Sequence, residues 1–160
     1  MNGLPHGFFK STRGLRQGDP ISPALCVIGT EVLSRSLNTL AEHGRFRSFK
    51  VPSGCPVVTH LAYVDNVVIF TSGLKASMKL VKRVLDRYCS LSGQWVNCRK
   101  SCFLVHPNLS LQRRAMIGMI TGFLHKSFPI KYLGCPLFFG WRRLHYFADI
   151  CSTVTTRILS

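Results

Sequence analysis

The sequence predicts an α+β fold, with helices on one face of a mainly antiparallel sheet. Two patterns predict this class. Runs of β-branched and aromatic residues flank the pair Asp65-Asn66, as expected for a β-hairpin with a carboxylate at its tip. Apolar residues recur at helical spacing before and after this hairpin, between residues 25 and 41 and between residues 74 and 92.

Length and charge limit the possible partners. The chain has 160 residues, 46% of them hydrophobic, which is enough for one domain with a core. It carries 21 Lys and Arg against 6 Asp and Glu, a formal charge of +15, which predicts attraction to a polyanion such as nucleic acid or an anionic membrane surface. The alternative is a basic fragment balanced by an acidic partner. The longest apolar stretch is interrupted by Asp65 and is too short to span a bilayer, so no membrane-spanning segment is predicted, and the expected partner is nucleic acid and not a membrane.

The cysteines point to an intracellular protein of the nucleus or cytoplasm. Their number is seven, there is no Cys-x-x-Cys pair and no signal peptide, so a disulfide framework is not predicted. Cys98 and Cys102 with His106 or His125 could be combined into a metal site. Since no second close ligand pair accompanies them, ordinary reduced thiols are the favoured interpretation.

The first half of the chain begins with a short predicted strand at residues 7–10 and a loop at residues 13–18. Either Asp19-Pro20 or Ser22-Pro23 supplies an N-cap followed by proline at the first helical position. A helix is therefore predicted to about residue 41. Its apolar face combines two neighbouring stripes, formed by Leu25, Ile28 and Val32 and by Leu33, Leu37 and Leu40.

The second half alternates in the same way. The helix after the central hairpin is predicted to end at Gly93, with basic residues opposite an apolar face formed by Met78, Val81, Leu85 and Tyr88. Residues 95–105 read as a strand, residues 109–121 as a short helix and residues 128–139 as a hairpin. A final helix is predicted over residues 142–159, with one face formed by Trp141, Leu144, Phe147, Ile150 and Val154.

Two places carry residues suited to chemistry. Asp65 lies in an apolar setting, where a carboxylate is costly unless it is paired, hydrogen-bonded or bound to a metal; the alternative is a solvated turn residue. In the loop before the first helix, Gly18 lets a ligand approach the backbone, while Arg16 and Gln17 offer donors to phosphates and base edges. The alternative for this loop is an ordinary capped helix entrance.

Four motifs together resemble the reverse transcriptase of non-LTR (LINE-type) retrotransposons, most closely the plant versions. Tyr63-Val64-Asp65-Asn66 is similar to the Tyr-x-Asp-Asp hairpin of that family. The other three occur in the family's order at residues 13–23 (Arg-Gly-Leu-Arg-Gln-Gly-Asp-Pro-Ile-Ser-Pro), 92–101 (Ser-Gly-Gln-Trp-Val-Asn-Cys-Arg-Lys-Ser) and 130–137 (Ile-Lys-Tyr-Leu-Gly-Cys-Pro-Leu). The resemblance covers nearly the whole chain.

The resemblance implies a partial polymerase palm over residues 1–127, and a primer-grip-like hairpin with the start of a helical thumb over residues 128–160, without fingers. It makes Asp65 the catalytic carboxylate and metal ligand, and Lys100 the cation near the nucleotide phosphates. The residues expected to contact nucleotide or template are Arg16, Gln17, Gly18 and Tyr63. The residues expected to hold the primer end are Tyr132, Leu133 and Gly134. The implied partners are an RNA template and a DNA primer.

The same resemblance implies a magnesium site that is incomplete. The family uses two Mg²⁺ ions, which require hard anionic oxygens gathered from separate strands. One family carboxylate belongs upstream of residue 13, and the second Asp of the hairpin is replaced by Asn66. The expectation is a reverse-transcriptase-like (RNA-directed DNA polymerase) fragment that is catalytically inactive. The alternatives are a basic nucleic-acid-binding or interaction module, and a half-enzyme complemented in trans by a fingers-bearing partner chain.

Overall fold

A computed structural model describes residues 18–42, 44–141 and 143–159. These residues form four α-helices, one 3-10 helix and three two-stranded ladders, which confirms the α+β class. The chain divides into two compact units between Val96 and Asn97. Among the helices described, none combines the length and apolar character needed to cross a lipid bilayer.

The first unit contains two helices and one antiparallel hairpin. Its elements are α1 (Ser22–Glu42), β1 (His60–Tyr63), β2 (Asn66–Ile69) and α2 (Lys75–Ser92). Asp19 precedes α1, and its carboxylate accepts a hydrogen bond of 2.8 Å from the backbone N–H of Ile21. Neither predicted cap is formed: the first helical hydrogen bond runs from the N–H of Leu25 to the carbonyl of Ile21, so Asp19-Pro20 forms a turn before α1 and Pro23 is its second residue.

The core of this unit lies where α1 meets α2. It is formed by the buried side chains of Leu33, Leu37, Leu40, Phe46 and Val81. Val67 and Ile69 of β2 pack against this cluster from the hairpin. The apolar face predicted for the second helix is confirmed, since Met78 is also buried and Leu85 and Tyr88 pack against the cluster.

One of the two apolar stripes predicted for the first helix is not buried. Leu25, Ile28 and Val32 are exposed, whereas Leu33, Leu37 and Leu40 are in the core. The two stripes have the same spacing in the sequence. They differ because α2 packs on the second stripe, at the side where Val81 lies.

The second unit contains short elements. They are β3 (Cys102–Phe103), α3 (Leu111–Thr121), β4 (Leu124–His125), β5 (Ile130–Tyr132), β6 (Cys135–Leu137), the 3-10 helix Leu144–Phe147 and α4 (Ala148–Leu159). β3 pairs with β4 in parallel, and β5 pairs with β6 antiparallel. The helix predicted over residues 109–121 is confirmed by α3, on which Ile117 is only 2% exposed.

Two predictions for this unit need correction. Residues 95–105 contain only the two-residue strand β3, because the Asn97 carboxamide accepts hydrogen bonds from the N–H groups of Arg99 and Lys100 and so forms a turn. The final helix begins at Ala148 and not near residue 142, and Trp141 and Leu144 are more than 90% exposed. A shared apolar face with these two residues is therefore not formed.

Candidate functional site

The predicted hairpin is confirmed, and its tip carries Asp65. β1 and β2 pair with Tyr63 opposite Asn66, so the two loop residues are Val64 and Asp65. The turn lies one position earlier than predicted, and Asn66 is the first residue of β2. Asp65 is exposed to solvent at the tip.

Val64 adopts an unusual backbone conformation beside Asp65. Its φ is 52°, in the left-handed region that β-branched residues rarely occupy. The side chain is 77% exposed, so no burial offsets the conformation locally. Positive φ at the first loop residue is typical of the tight turns that join twisted antiparallel strands. The hairpin thus holds Asp65 in a defined position at some cost in backbone strain.

Asp65 is engaged by its neighbour. The Nδ2 atom of Asn66 donates a hydrogen bond of 2.9 Å to Oδ1 of Asp65. A second aspartate at this position would present another anionic oxygen, whereas the carboxamide presents an N–H to the carboxylate. The pair therefore carries one negative charge, and one of its carboxylate lone pairs already has a donor.

This site does not fit two magnesium ions. In the part of the chain that the structure describes, no three His, Cys, Asp or Glu side chains gather in a way that could hold a metal ion. Magnesium prefers several hard oxygen ligands in octahedral geometry, and Asp65 supplies a single carboxylate. Cys98, Cys102, His106 and His125 are among the described residues and do not gather into such a group.

The base of the hairpin holds a polar cluster that the sequence did not reveal. The Thr59 hydroxyl donates to Oδ1 of Asn38 on α1 at 2.7 Å and lies 2.9 Å from Nδ1 of His60. Burial lowers the pKa of His60. The backbone ladder also continues here, since the N–H of Phe70 donates to the carbonyl of Thr59 at 2.8 Å. This cluster ties the start of the hairpin to α1.

The loop predicted to contact nucleotide and template is described only in part. Arg16 and Gln17 lie outside the described residues. Gly18 is exposed and has a φ of 87°, a conformation that glycine adopts readily and other residues avoid. Gly18 directly precedes a turn in which Asp19 accepts hydrogen bonds from the N–H groups of Ile21 and Ser22, and this turn leads into α1.

Tyr63 and Lys100 lie in different units. Tyr63 is 61% exposed beside the tip of the hairpin, opposite Asn66. Lys100 is exposed in the turn that Asn97 forms, and its N–H donates to the Asn97 carboxamide at 3.2 Å. Its role toward nucleotide phosphates remains a prediction.

The hairpin predicted at residues 130–137 is present. Tyr132 pairs with Cys135, which leaves Leu133 and Gly134 as the loop, with φ values of 49° and 81°. Positive φ at both loop positions is the geometry of the preferred two-residue hairpin turn. Leu133 is 51% exposed at this tip. Contact of this tip with a primer remains a prediction.

Comparison with known proteins gives the family. The reverse transcriptase (RNA-dependent DNA polymerase) family matches residues 1–137, most of the chain. The chain belongs to this family. It is also similar to the uncharacterized mitochondrial protein AtMg01250 of Arabidopsis thaliana, with 42% identity over 66 residues that cover 41% of this chain and 54% of the relative. The chain thus spans about half the length of that relative. No solved structure matches this chain.

Proposed function

We propose that this chain is a palm segment, with the start of a thumb, from the reverse transcriptase of a LINE-type retroelement. In this proposal it binds an RNA template and DNA primer without catalysing nucleotidyl transfer by itself. The order of the four motifs along the chain supports the LINE-type assignment. The subdomain boundary between residues 127 and 128 belongs to the same proposal.

The main observation that supports the absence of catalysis is the Asp65–Asn66 pair at the hairpin tip. Asp65 is the proposed remaining metal ligand, and Asn66 donates its carboxamide N–H to that carboxylate at 2.9 Å. A divalent ion at Asp65 would lack the second negative charge and would compete with the carboxamide for the oxygen. Both effects weaken ion binding, because Mg²⁺ and Mn²⁺ bind through anionic oxygens.

Nucleic-acid binding is supported by a row of basic residues that we name the α2 basic stripe. Its members are exposed and four residues apart: Lys75, Lys79, Arg83 and Arg87. At 1.5 Å per residue the stripe extends over about 18 Å, which is about five base-pair steps of a duplex. A row of this length can contact several phosphates in succession. The formal charge of +15 acts in the same direction at longer range.

Asn66→Asp is expected to create a tighter divalent-ion site at the hairpin tip. The second carboxylate adds charge and removes the competing N–H donor, so Mn²⁺ should bind about tenfold more tightly than to the unmodified chain. Titration with Mn²⁺, followed by paramagnetic broadening of the backbone amide signals around residue 65, measures this affinity.

The matched control is Asp65→Asn in the Asn66→Asp background, which keeps one carboxylate in the pair and should return the affinity to that of the unmodified chain. Equal Mn²⁺ affinity for the unmodified chain and Asn66→Asp would contradict the assignment of this tip as a degenerate metal site.

A further inference from the structure

The second unit contains a cavity of about 360 Å³, which is lined in part by residues 128–146 of the proposed hairpin and thumb but by none of the residues expected to hold the primer end. We name it the Arg114 cavity. Its volume lies within the range of pockets that hold small ligands. The lining side chains that matter for the argument are Arg114, His125, Ser127, Phe128, Phe139 and Tyr146.

Arg114 lines this cavity and carries a buried donor without a partner in the described part of the chain. It lies on α3, and one of its guanidinium nitrogens, Nη2, donates to the carbonyl of Pro107. Its Nε is buried and has no hydrogen-bond partner within the residues described. Leaving a charged donor buried and unpaired is costly, and turning the guanidinium toward an acceptor in the cavity would remove that cost. An anionic oxygen is the strongest such acceptor for a guanidinium.

Aromatic rings form another part of the wall. The rings of Phe128 and Phe139 lie with centroids 6.5 Å apart, and the ring of His106 meets Phe139 edge-on at 4.6 Å. Tyr146 is stacked on Phe138 at 5.1 Å. Phe139 remains 51% exposed, so its surface is available to a ligand. Rings held by their neighbours in this way offer surfaces on which a planar base can stack.

The charge around the cavity also favours an anion. From residue 97 to residue 160 the sequence contains nine Lys and Arg and a single acidic residue, Asp149. That carboxylate is already paired with Lys131, and the hydrogen bond and charge of Lys131 lower the pKa of Asp149. The field of the second unit is therefore strongly positive, which raises the local concentration of anions.

We propose that the Arg114 cavity binds one unpaired nucleotide of a single-stranded nucleic acid, with the base against Phe128, Phe139 and Tyr146 and a phosphate oxygen accepting from the Arg114 guanidinium. The proposal deepens the nucleic-acid binding proposed above, and it does not involve Asp65 or the α2 basic stripe. A base within a duplex is stacked between its neighbours and cannot enter a cavity without leaving the helix. Single strands present unpaired bases directly.

The test is a titration of the full chain with adenosine 5′-monophosphate, adenosine and inorganic phosphate, each followed by ¹H–¹⁵N NMR. We expect the nucleotide to shift the signals of the cavity residues and to bind more tightly than adenosine or phosphate alone.

Three variants test the contacts. Arg114→Lys keeps the charge but removes Nε, and should weaken nucleotide binding about tenfold. Phe139→Leu, at a half-exposed position, should weaken it several-fold while leaving phosphate binding unchanged. Arg113→Lys, the neighbouring exposed residue of α3, is the matched control and should have no effect.

Competition with oligonucleotides tests whether the cavity accepts a nucleotide that belongs to a single strand. A short single-stranded oligonucleotide should displace the monophosphate, and a duplex of the same sequence should not. Three results would overturn the proposal: no binding of the monophosphate, equal binding of monophosphate and inorganic phosphate, or no displacement by the single strand. If any of these results is found while Arg114→Lys still binds the duplex, this inference fails and the proposed function stands. If the chain binds the nucleotide but not the duplex, the proposed function fails instead.

Discussion

Raising the salt concentration from about 50 to about 200 mM is expected to weaken binding of a primer–template duplex by roughly a thousandfold. The reason is the release of counterions from each phosphate that a Lys or Arg neutralises, and a loss of this size corresponds to about six phosphate contacts. The α2 basic stripe supplies four candidate contacts on one helix. The rest of the formal charge of +15 can supply the others.

Fluorescence anisotropy of a labelled duplex, measured over a series of salt concentrations, gives this dependence as a slope of log affinity against log salt. The double variant Lys79→Gln and Arg83→Gln should reduce the slope by about 1.8, since each lost contact removes about 0.9. Lys131→Gln is the control, because that exposed ammonium is already paired with Asp149. A flat plot for the unmodified chain would contradict phosphate-driven binding, and an unchanged slope in the double variant would exclude the stripe.

Leu37→Ala is expected to lower the free energy of unfolding of the first unit by about 2 to 5 kcal/mol. Leu37 is 2% exposed and lies in the cluster with Leu33, Leu40, Phe46 and Val81. Removing most of its side chain forfeits the transfer free energy of the buried methyl groups and leaves a cavity between α1 and α2. A loss of this size is a large fraction of the stability of a small domain.

Urea denaturation of the two proteins, followed by circular dichroism at low salt, measures the change. Leu25→Ala on the same helix is the matched control, because Leu25 is 44% exposed and its truncation should change the free energy of unfolding by less than about 1 kcal/mol. Equal effects of the two substitutions would show that the α1–α2 core described here does not stabilise the chain.

The sequence was sufficient to predict α1, α2, α3 and the two antiparallel hairpins, but not the start of α4 or the parallel pairing of β3 with β4. Gly93 marks the end of the second helix, with a φ of 69° that glycine adopts readily. The sequence could not show which of the two apolar stripes of the first helix is buried, because Leu25 and Leu37 both belong to patterns with helical spacing. Which stripe is buried depends on the neighbour, and only packing of α2 decides it.

The position of the turn at the candidate site shows a similar limit. Turn preference favours Asp and Asn for the loop, yet the left-handed position is occupied by Val64, with a φ of 52°. The register of the hairpin places Val67 and Ile69 of β2 against the α1–α2 core, and a slip by one residue would turn them away from it. Contacts between distant residues thus override the preference for Asp and Asn in the loop, and Val64 is left in the left-handed position.

The resemblance located Asp65 and Asn66, but it did not show that the two side chains are hydrogen-bonded to each other. A sequence shows that a carboxylate has become a carboxamide. It does not show that this carboxamide donates to its neighbour at 2.9 Å. The Arg114 cavity was missed altogether, because its residues are spread over more than thirty positions and include no motif.

The most direct test of the central claim is the length of a labelled primer after incubation of the chain with its duplex, the four deoxynucleoside triphosphates and Mg²⁺ at low salt. Binding is monitored in the same sample by anisotropy. The proposal predicts that the duplex is bound and that the primer keeps its original length. Primer extension by the unmodified chain that is abolished by Asp65→Ala would contradict it, and would mean that a single carboxylate at the hairpin tip is sufficient for catalysis.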